Sequence, residues 1–233
     1  RMTEFNEIKF NQVGVPTEKS GSQLVSKKIP NFDMLLDLNS EGISRVLYQV
    51  GMRERVFMSI IHNEINEGDV CIDLGSNIGF TTLFMCEKVG STGKVYAIEP
   101  DPWNFDLLTK NIHRNNFGKV TSLYQVAISD FKGEVEFWQS DKTNLSSVQK
   151  TKHSTKSINV QCESLGTFLE DKEYPNFIKM DIEGHEVKVF EGALDYFTKN
   201  AGNTTILLEV HPHFYDEEND FEIDVQPAPA PRE

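Results

Sequence analysis

The residues most suggestive of chemistry lie in the segment 70–80, which reads Val-Cys-Ile-Asp-Leu-Gly-Ser-Asn-Ile-Gly-Phe. An apolar run ends at Asp73, a Gly-x-Asn-x-Gly turn follows, and residues 80–84 are apolar at helical spacing, which predicts strand, tight turn and helix. Such a turn brings backbone N–H groups to the carboxyl edge of a sheet, where open α/β folds bind ligands. The glycines would admit a ligand or adopt positive φ. A purely structural turn is the alternative interpretation.

Four further acids each follow another predicted strand: Glu99, Asp130, Asp181 and Glu209. Because parallel strands end at the same edge of a sheet, we expect these acids to gather there with Asp73. One such acid is ordinary, since it can cap the helix that follows. Several like charges in one place cost stability unless something binds them, so the pattern predicts a ligand site.

Strands and helices alternate along the part of the chain that carries these acids. The order predicts an α/β fold with a doubly wound, mostly parallel sheet and helices on both faces. The expected strands are 32–38, 70–73, 94–99, 120–126, 134–138, 158–162, 177–181 and 205–210; the expected helices are 53–65, one beginning at 80, 101–112, 164–170 and 187–197. The helix at 53–65 is interpreted mainly as a cover for the core, although its first turn could reach the ligand.

The remaining segments are polar. Glycines and prolines interrupt residues 1–30, which predicts an irregular arm with short extended pieces, and residues 139–157 have the composition of a mobile loop. Residues 216–233 are acidic and rich in Pro and Ala, which is typical of a solvated tail. We therefore divide the chain into an N-terminal arm and strand region (1–50), a ligand-binding domain (51–215) and a tail (216–233).

Composition narrows the class of protein. The 233 residues include 23 Lys and Arg against 36 Asp and Glu, a net charge of -13, which argues against a nucleic-acid partner. The three cysteines are odd in number and widely spaced, as is usual in a reducing compartment, so a cytoplasmic location is expected. No apolar run is long enough to span a membrane.

The turn at 75–79 favours one cofactor over another. A dinucleotide site would need G-x-G-x-x-G, but Asn77 stands at the middle position, and an acid before the turn would repel a pyrophosphate. S-adenosylmethionine suits an acidic edge better, because it carries a sulfonium, an ammonium and a ribose diol but no phosphate. Glu99 could accept from both ribose hydroxyls, and Asp130 from the adenine amino group, with backbone of residues 127–129 beside it. Helix or turn capping is the alternative for both acids.

Five motifs, in order and over roughly residues 50–212, resemble those of the FkbM-type methyltransferases. They are Asp-Leu-Gly-Ser-Asn-Ile-Gly at 73–79, Ala-Ile-Glu-Pro-Asp-Pro at 97–102, Ala-Ile-Ser-Asp at 127–130, Ile-Lys-Met-Asp-Ile-Glu-Gly at 178–184 and Leu-Glu-Val-His at 208–211. The resemblance implies a class I, Rossmann-like fold, dependence on S-adenosylmethionine, and O-methylation of a sugar or natural-product hydroxyl. Residues 212–233 look too short and polar for the β-hairpin that usually closes a class I sheet.

The resemblance, together with the motifs, assigns residues to two roles. The expected cofactor-binding residues are Asp73, Gly75, Ser76, Asn77, Gly79, Glu99, Pro100, Asp101, Ala127, Ser129 and Asp130. The expected catalytic residues are Asp181, Glu209 and His211. Asp181 is the preferred base for the acceptor hydroxyl. The same three residues could instead hold a divalent cation, since carboxylate and imidazole suit such ions.

The predicted function is S-adenosylmethionine-dependent O-methylation of a sugar, glycan or small-molecule hydroxyl, by in-line transfer with help from a base or metal. One alternative is a non-catalytic binding domain of the same fold within a larger glycan-processing protein. An NAD-type oxidoreductase is disfavoured by the turn. The expected partners are the acceptor and further domains or a second copy of the chain, with no nucleic acid and no membrane span.

Overall fold

The structure is a computed structural model that describes residues 21–140, 146–200 and 204–210. His211 and the tail at 216–233 therefore lie outside the described residues. In chain order the strands are β1 (Leu24–Ile29), β2 (Phe32–Asp37), β3 (Val70–Leu74), β4 (Lys94–Ile98), β5 (Thr121–Tyr124), β6 (Ala127–Ser129), β7 (Gly133–Ser140), β8 (Ser154–Ser164), β9 (Phe177–Met180) and β10 (Thr205–Leu208). The helices are α1 (Ile43–Val50), α2 (Arg55–Glu64), α3 (Phe80–Val89), α4 (Pro102–Arg114), α5 (Leu165–Leu169), α6 (Glu186–Glu191) and α7 (Leu194–Lys199).

The centre of the fold is a five-stranded parallel sheet in the order β10-β9-β3-β4-β5. The chain builds β3, β4 and β5 towards one side and later adds β9 and β10 on the other. The order therefore reverses between β3 and β9, and in open α/β sheets ligands bind at such a switch point.

Both faces of this sheet are covered. Alternate residues of β3 point to opposite faces. Cys71 belongs to an apolar cluster with α2, α3 and α4, whereas Ile72 and Leu74 belong to a second cluster with α5 and α6. The predicted fold class, a doubly wound, mostly parallel α/β sheet with helices on both faces, is confirmed.

Asp130 departs from the prediction that five acids end strands of one sheet. The segment predicted as a single strand at 120–126 ends at Tyr124, and β6 then joins a separate three-stranded sheet, β6-β8-β7. Asp130 follows β6 and so does not lie on the central edge. The prediction was wrong because the chain leaves the central sheet two residues before the motif Ala-Ile-Ser-Asp begins.

The predicted helix at 187–197 is two short helices, α6 and α7, separated at Gly192 and Ala193. A Cβ at Gly192 would lie 2.4 Å from the Ser129 carbonyl oxygen, so the backbone packs directly against the end of β6. One consequence is that Leu194, expected on the apolar face, is 62% exposed.

The N-terminal region is more regular than the arm predicted for residues 1–30. Leu24–Ile29 is a full strand, paired antiparallel with β2. The buried Asn111 of α4 connects this hairpin to the glycine turn, because its amide oxygen accepts from Leu35 N at 2.6 Å and its amide nitrogen donates to the Ile78 carbonyl at 2.7 Å. Helix α1, which the sequence analysis did not predict, follows and packs on β2.

The predicted mobile loop at 139–157 is shorter where the structure describes it. Strand β7 continues to Ser140 and β8 begins at Ser154, so only 146–153 of the described residues lie between them. In the described parts of the chain, every helix is too short or too polar to cross a membrane.

Candidate functional site

Four residues stand side by side where adjacent strands of the central sheet end: Glu99, Gly75, Asp181 and Glu209. Each follows the last residue of its strand, and those last residues are in register across β4, β3, β9 and β10. Neighbouring strands lie about 4.8 Å apart, so the row spans about 14 Å.

Backbone hydrogen bonds carry this register beyond the strands themselves. Gly75 N donates to the Ile98 carbonyl at 3.1 Å, Asp181 N to the Leu74 carbonyl at 3.2 Å, and Glu209 N to the Met180 carbonyl at 3.0 Å. Rigid backbone therefore fixes the positions from which these side chains project.

A cleft of about 850 Å³, including its open mouth, lies over this row. Its size is that of a site for a cofactor-sized ligand. The lining includes seven predicted site residues, namely Gly75, Ser76, Asn77, Glu99, Pro100, Ala127 and Asp181. It also includes Phe137, Lys179 and His185, which were not predicted to bind the cofactor or to act in catalysis. Arg53 and Glu54, from the predicted first turn that could reach the ligand, line the cleft as well.

The glycine turn is shaped by packing inside the protein. Gly75, Asn77 and Gly79 have φ of 76°, 50° and 91°. A Cβ at Gly75 would lie 1.9 Å from the Asp181 carbonyl oxygen, and one at Gly79 would lie 2.8 Å from a methyl group of Leu108. Glycine at 75 therefore allows the end of β9 to approach the turn, and glycine at 79 allows α4 to pack against α3.

Asp73 lies beneath the turn rather than in the cleft. Its side chain is fully buried, and one carboxylate oxygen accepts from Thr82 Oγ1 at 2.6 Å while the other lies 3.3 Å from Lys179 Nζ. The Ser76 hydroxyl donates to the Asp73 carbonyl at 2.8 Å and accepts from Ile98 N at 3.0 Å. Asp73 and Ser76 thus hold the turn in shape from below.

Lys179 is the most informative residue that the sequence analysis missed. It is 2% exposed, and its ammonium donates to the Gly75 carbonyl at 2.9 Å and lies 3.8 Å from Asp181 Oδ2. Burial alone would lower the Lys179 pKa, but the carboxylates of Asp73 and Asp181 outweigh burial and raise the pKa above its usual range. The signal was a lysine inside an apolar strand, since lysines are almost never fully buried unless paired.

Glu99 projects into the cleft at the other end of the row. Oε2 accepts from Asn77 N at 2.8 Å and Oε1 from Asp101 N at 2.9 Å, so each oxygen keeps one lone pair for a ligand. Burial, and then the nearby Asp101 carboxylate, raises the pKa of Glu99 to about 8. Donors from a ligand would favour the charged form.

Asp101 caps helix α4. Its Oδ1 accepts from Trp103 N at 2.9 Å and from Asn104 N at 3.0 Å, and its other oxygen accepts from Gln139 Nε2. These bonds orient the β4–α4 connection that carries Glu99 and Pro100. The side chain of Asp101, a predicted cofactor residue, is thus engaged in capping.

Ser129 and Asp130 lie near the cleft wall but face His185 and solvent. Ser129 Oγ lies 2.7 Å from His185 Nε2 and donates to Asp130 Oδ1 at 3.0 Å, and Asp130 Oδ2 is 3.6 Å from Lys188 Nζ. Asp130 is exposed to solvent. Burial lowers the pKa of His185, which keeps the ring neutral near pH 7. The assignment of Asp130 to the adenine amino group stays a prediction.

Asp181 lies in the cleft with one oxygen near Lys179 and the other, Oδ1, buried without a hydrogen-bond partner in the described structure. Glu209 follows the neighbouring strand, and its negative charge, like that of Asp181, is felt by the Glu183 carboxyl group. Burial, and then the carboxylates of Asp181, Glu209 and Glu186, raises the pKa of Glu183 to about 8. Of the predicted catalytic residues, the structure therefore brings Asp181 and Glu209 together; His211 lies outside it.

The turn after Asp181 is held by the loop between β7 and β8. Glu183 and Gly184 have φ of 56° and 91°. Ser147 Oγ donates to the Glu183 carbonyl at 2.9 Å, and Gln149 Nε2 donates to the Gly184 carbonyl at 2.6 Å. The small sheet therefore positions the acidic end of the cleft.

A metal site was the alternative for Asp181, Glu209 and His211. Within residues 21–140, 146–200 and 204–210, no group of three or more His, Cys, Asp or Glu side chains is arranged to hold a metal ion. With His211 outside those ranges, the divalent cation gains no support from this geometry.

Comparison with known proteins agrees with the motifs. The family model described as the methyltransferase FkbM domain matches residues 73–225. The chain is 33% identical over 161 residues to hexuronic acid methyltransferase AglP of Haloferax volcanii, covering 68% of this chain and 62% of that protein. It is 27% identical over 158 residues to methyltransferase 1 of Beauveria bassiana, covering 59% and 63%.

Among solved structures, methyltransferase FkbM from Methylobacillus flagellatus is 20% identical, with a TM-score of 0.43, and the match covers 61% of this chain and 33% of that one. This chain thus spans under two thirds of the length of each of these relatives. The family model covers well over half of the chain, and the resemblance first seen in the motifs is confirmed. The chain belongs to the FkbM methyltransferase family.

Proposed function

We propose that this chain is an S-adenosylmethionine-dependent O-methyltransferase whose acceptor is a sugar hydroxyl. The observation that carries the proposal is the row formed by Glu99, Gly75 and Asp181 under a single cleft. An acid able to accept from a ribose diol, a glycine turn and an acid able to serve as a base lie within about 10 Å of one another.

The residues present fit the donor. Glu99 lines the cleft, each of its oxygens keeps one lone pair for a ligand hydroxyl, and its side chain is fixed by backbone N–H groups on both oxygens. The neighbouring wall contains Val126, Ala127 and Phe137, and its apolar character suits the adenine ring of the donor. The buried Oδ1 of Asp181 has an unused lone pair at the opposite end. These features support a ligand that runs from Glu99 across Gly75 towards Asp181.

Asp73 does not exclude a dinucleotide, because it is buried and paired with Lys179 and so would not repel a pyrophosphate. What disfavours a dinucleotide is the turn itself, in which Asn77 stands where the dinucleotide fingerprint has its middle glycine. A donor without phosphate suits this turn better.

Asp181 is the proposed base. When bound, S-adenosylmethionine would supply a methyl group on an activated sulfonium. The acceptor hydroxyl oxygen would gain that methyl group as the sulfur–methyl bond breaks and S-adenosylhomocysteine leaves, and the hydroxyl proton would pass to the Asp181 carboxylate. Lys179 keeps its own proton and so stays a cation that holds Asp181 in place without competing for the acceptor's proton. Glu183, with a pKa of about 8, is largely protonated at neutral pH and is the weaker choice.

The acceptor class rests on one relative. AglP is named a hexuronic acid methyltransferase, and the similarity covers 68% of this chain. We therefore place a uronic acid or a related sugar first among acceptors. Ser146 and Val148, from the loop that holds the turn at 182–184, line the cleft where such an acceptor would enter.

Two measurements test the proposal. Calorimetry should show binding of S-adenosylhomocysteine and none of NAD. Incubation with labelled S-adenosylmethionine should then transfer label to uronic acids or neutral sugars in a panel that also contains RNA. Binding of NAD alone would overturn the donor, and label on RNA but on no sugar would overturn the acceptor class. A folded protein that binds S-adenosylhomocysteine yet transfers label to no acceptor would favour the non-catalytic alternative.

A further inference from the structure

We infer that Arg53 and Glu54, ahead of helix α2, form a subsite for the amino-acid end of the methyl donor. Arg53 would receive its carboxylate and Glu54 its ammonium. The inference rests on the proposed function, since it concerns the same cleft and the same donor.

The pair sits at the wall of the cleft. Both residues line it, their side chains are 26% and 21% exposed, and Arg53 Nε is ion-paired with a carboxylate oxygen of Glu54. Glu54 has φ of 50°, an uncommon conformation for a residue other than glycine. A partly exposed ion pair between adjacent residues adds little to the stability of the fold. The position of this pair at the cleft therefore suggests a role in ligand binding.

The cleft offers few other groups for an anion. Besides Arg53, the described lining contains Lys179 and the neutral His185. The ammonium of Lys179 is committed to Asp73, Asp181 and the Gly75 carbonyl. Arg53 has five N–H donors, and within the described structure only Nε has a hydrogen-bond partner. The guanidinium is therefore the group most able to bind a carboxylate, which it matches in a two-pronged geometry.

Glu54 is placed to bind the positively charged ammonium group of the donor. After Asp73 and Asp181, Glu54 is the third carboxylate that raises the pKa of Lys179 against the lowering effect of burial. Glu54 thus acts close to the Gly75 turn, which the donor must cross on its way from Glu99. A ligand end that carries one carboxylate and one ammonium is complementary to an arginine beside a glutamate.

A competing interpretation assigns Arg53 to the carboxylate of a uronic acid acceptor. Two ligands separate the interpretations. S-adenosylhomocysteine contains the amino-acid end, whereas 5′-methylthioadenosine keeps the adenine, the ribose and the thioether but lacks that end. The ratio of their affinities therefore reports on the amino-acid subsite alone.

The experiment measures both dissociation constants by calorimetry for the wild type, Arg53→Gln and Glu54→Gln. Each substitution should weaken S-adenosylhomocysteine about tenfold or more, the scale of a charge-assisted hydrogen bond, and leave 5′-methylthioadenosine nearly unchanged. Arg55→Gln is the matched control, because Arg55 is exposed and next in sequence, and it should alter neither affinity. Thermal melting establishes that each variant is folded.

The outcomes are distinct. Equal losses for the two ligands, or no loss for S-adenosylhomocysteine, would overturn the inference and leave the proposed function standing. If Arg53→Gln changes only the KM for a uronic acid acceptor, Arg53 belongs to the acceptor site and the inference is wrong. If the wild type binds neither ligand, the proposed donor fails and the subsite fails with it.

Discussion

Asp73 and Asp181 look alike in sequence, since both are acids at the carboxyl end of neighbouring parallel strands, yet the structure gives them opposite surroundings. Asp73 is fully buried, accepts from Thr82 and contacts Lys179 at 3.3 Å. Asp181 has a side chain that is 20% exposed and lines the cleft, and its nearest approach to Lys179 is 3.8 Å.

The two turns that follow these acids differ in the same way. The turn after β3 is held by its own Ser76, and its glycines make room for neighbouring backbone and side chains. The turn after β9 is held from another sheet by Ser147 and Gln149. An acid that is buried beneath its turn and paired there with Thr82 and Lys179 supports the fold, whereas one that lines a cleft can accept a proton from a ligand.

The largest effect should come from Asp181→Asn, which keeps the shape of the side chain and removes its basicity. We expect turnover to fall about 10²–10⁴-fold, the usual contribution of a positioned base. The affinity for S-adenosylhomocysteine should change little, because Asp181 stands at the acceptor end of the row. Initial rates with labelled donor, together with calorimetry, measure both quantities.

Two results would contradict the role of Asp181 as the base. Full activity in Asp181→Asn would move the base to Glu209 or His211. Wild-type activity that is lost with a chelator and restored by Mg²⁺ or Mn²⁺ would make Asp181 a metal ligand.

Asp73→Asn should act on stability instead of chemistry. It removes the main partner of the buried Lys179, and breaking a buried ion pair typically costs about 3–5 kcal/mol in the free energy of unfolding. Urea denaturation measures this loss. Thr82→Val is a milder change at the same carboxylate and should cost about 1.5–3 kcal/mol.

The matched control is Asp195→Asn, which breaks an exposed pair with Lys199 and should change stability by less than about 1 kcal/mol. If Asp73→Asn and Thr82→Val are no more damaging than this control, the buried acid does not support the fold and the comparison fails.

Glu99 allows a test by pH. Burial and Asp101 raise its pKa to about 8, and binding of hydroxyl donors favours the ionised form. Affinity for 5′-methylthioadenosine should therefore fall as pH drops below 8, by up to about tenfold per unit. This ligand avoids the titration of an amino group. Glu99→Gln should weaken binding and flatten the profile, whereas Glu183→Gln should retain it; a profile unchanged by Glu99→Gln would leave Glu99 as a structural cap.

The smallest effect is expected from Ser147→Ala. Ser147 Oγ donates to the Glu183 carbonyl and accepts from Gln149 N, and the loss of these two bonds should lower the free energy of unfolding by about 0.5–1.5 kcal/mol each. Turnover should fall while S-adenosylhomocysteine affinity is kept, since the acceptor end of the cleft loosens. An equal loss of donor affinity would show that the two turns do not act separately.

The sequence was enough to predict the central fold and the positions of Glu99, Asp181 and Glu209 after their strands, because apolar runs and turn residues are local signals. Asp73, expected at the same edge, lies one residue inside β3. The sequence could not reveal that Asp73 is buried in an ion pair, since its partner Lys179 lies on a strand that is distant in the chain. The end of β6, which has left the central sheet, packs directly against the helix break at Gly192. Such long-range packing has no local signature.

Asn111 joins the β1–β2 hairpin to the glycine turn through Leu35 and Ile78. Neither strand of the hairpin lines the cleft, yet separating the hairpin would leave buried polar groups of Asn111 unpaired beside the turn. The hairpin and the turn should thus open as one cooperative unit. A ligand seated on the turn would then slow amide hydrogen exchange in β1 and β2, a signal of occupancy in strands that do not line the cleft.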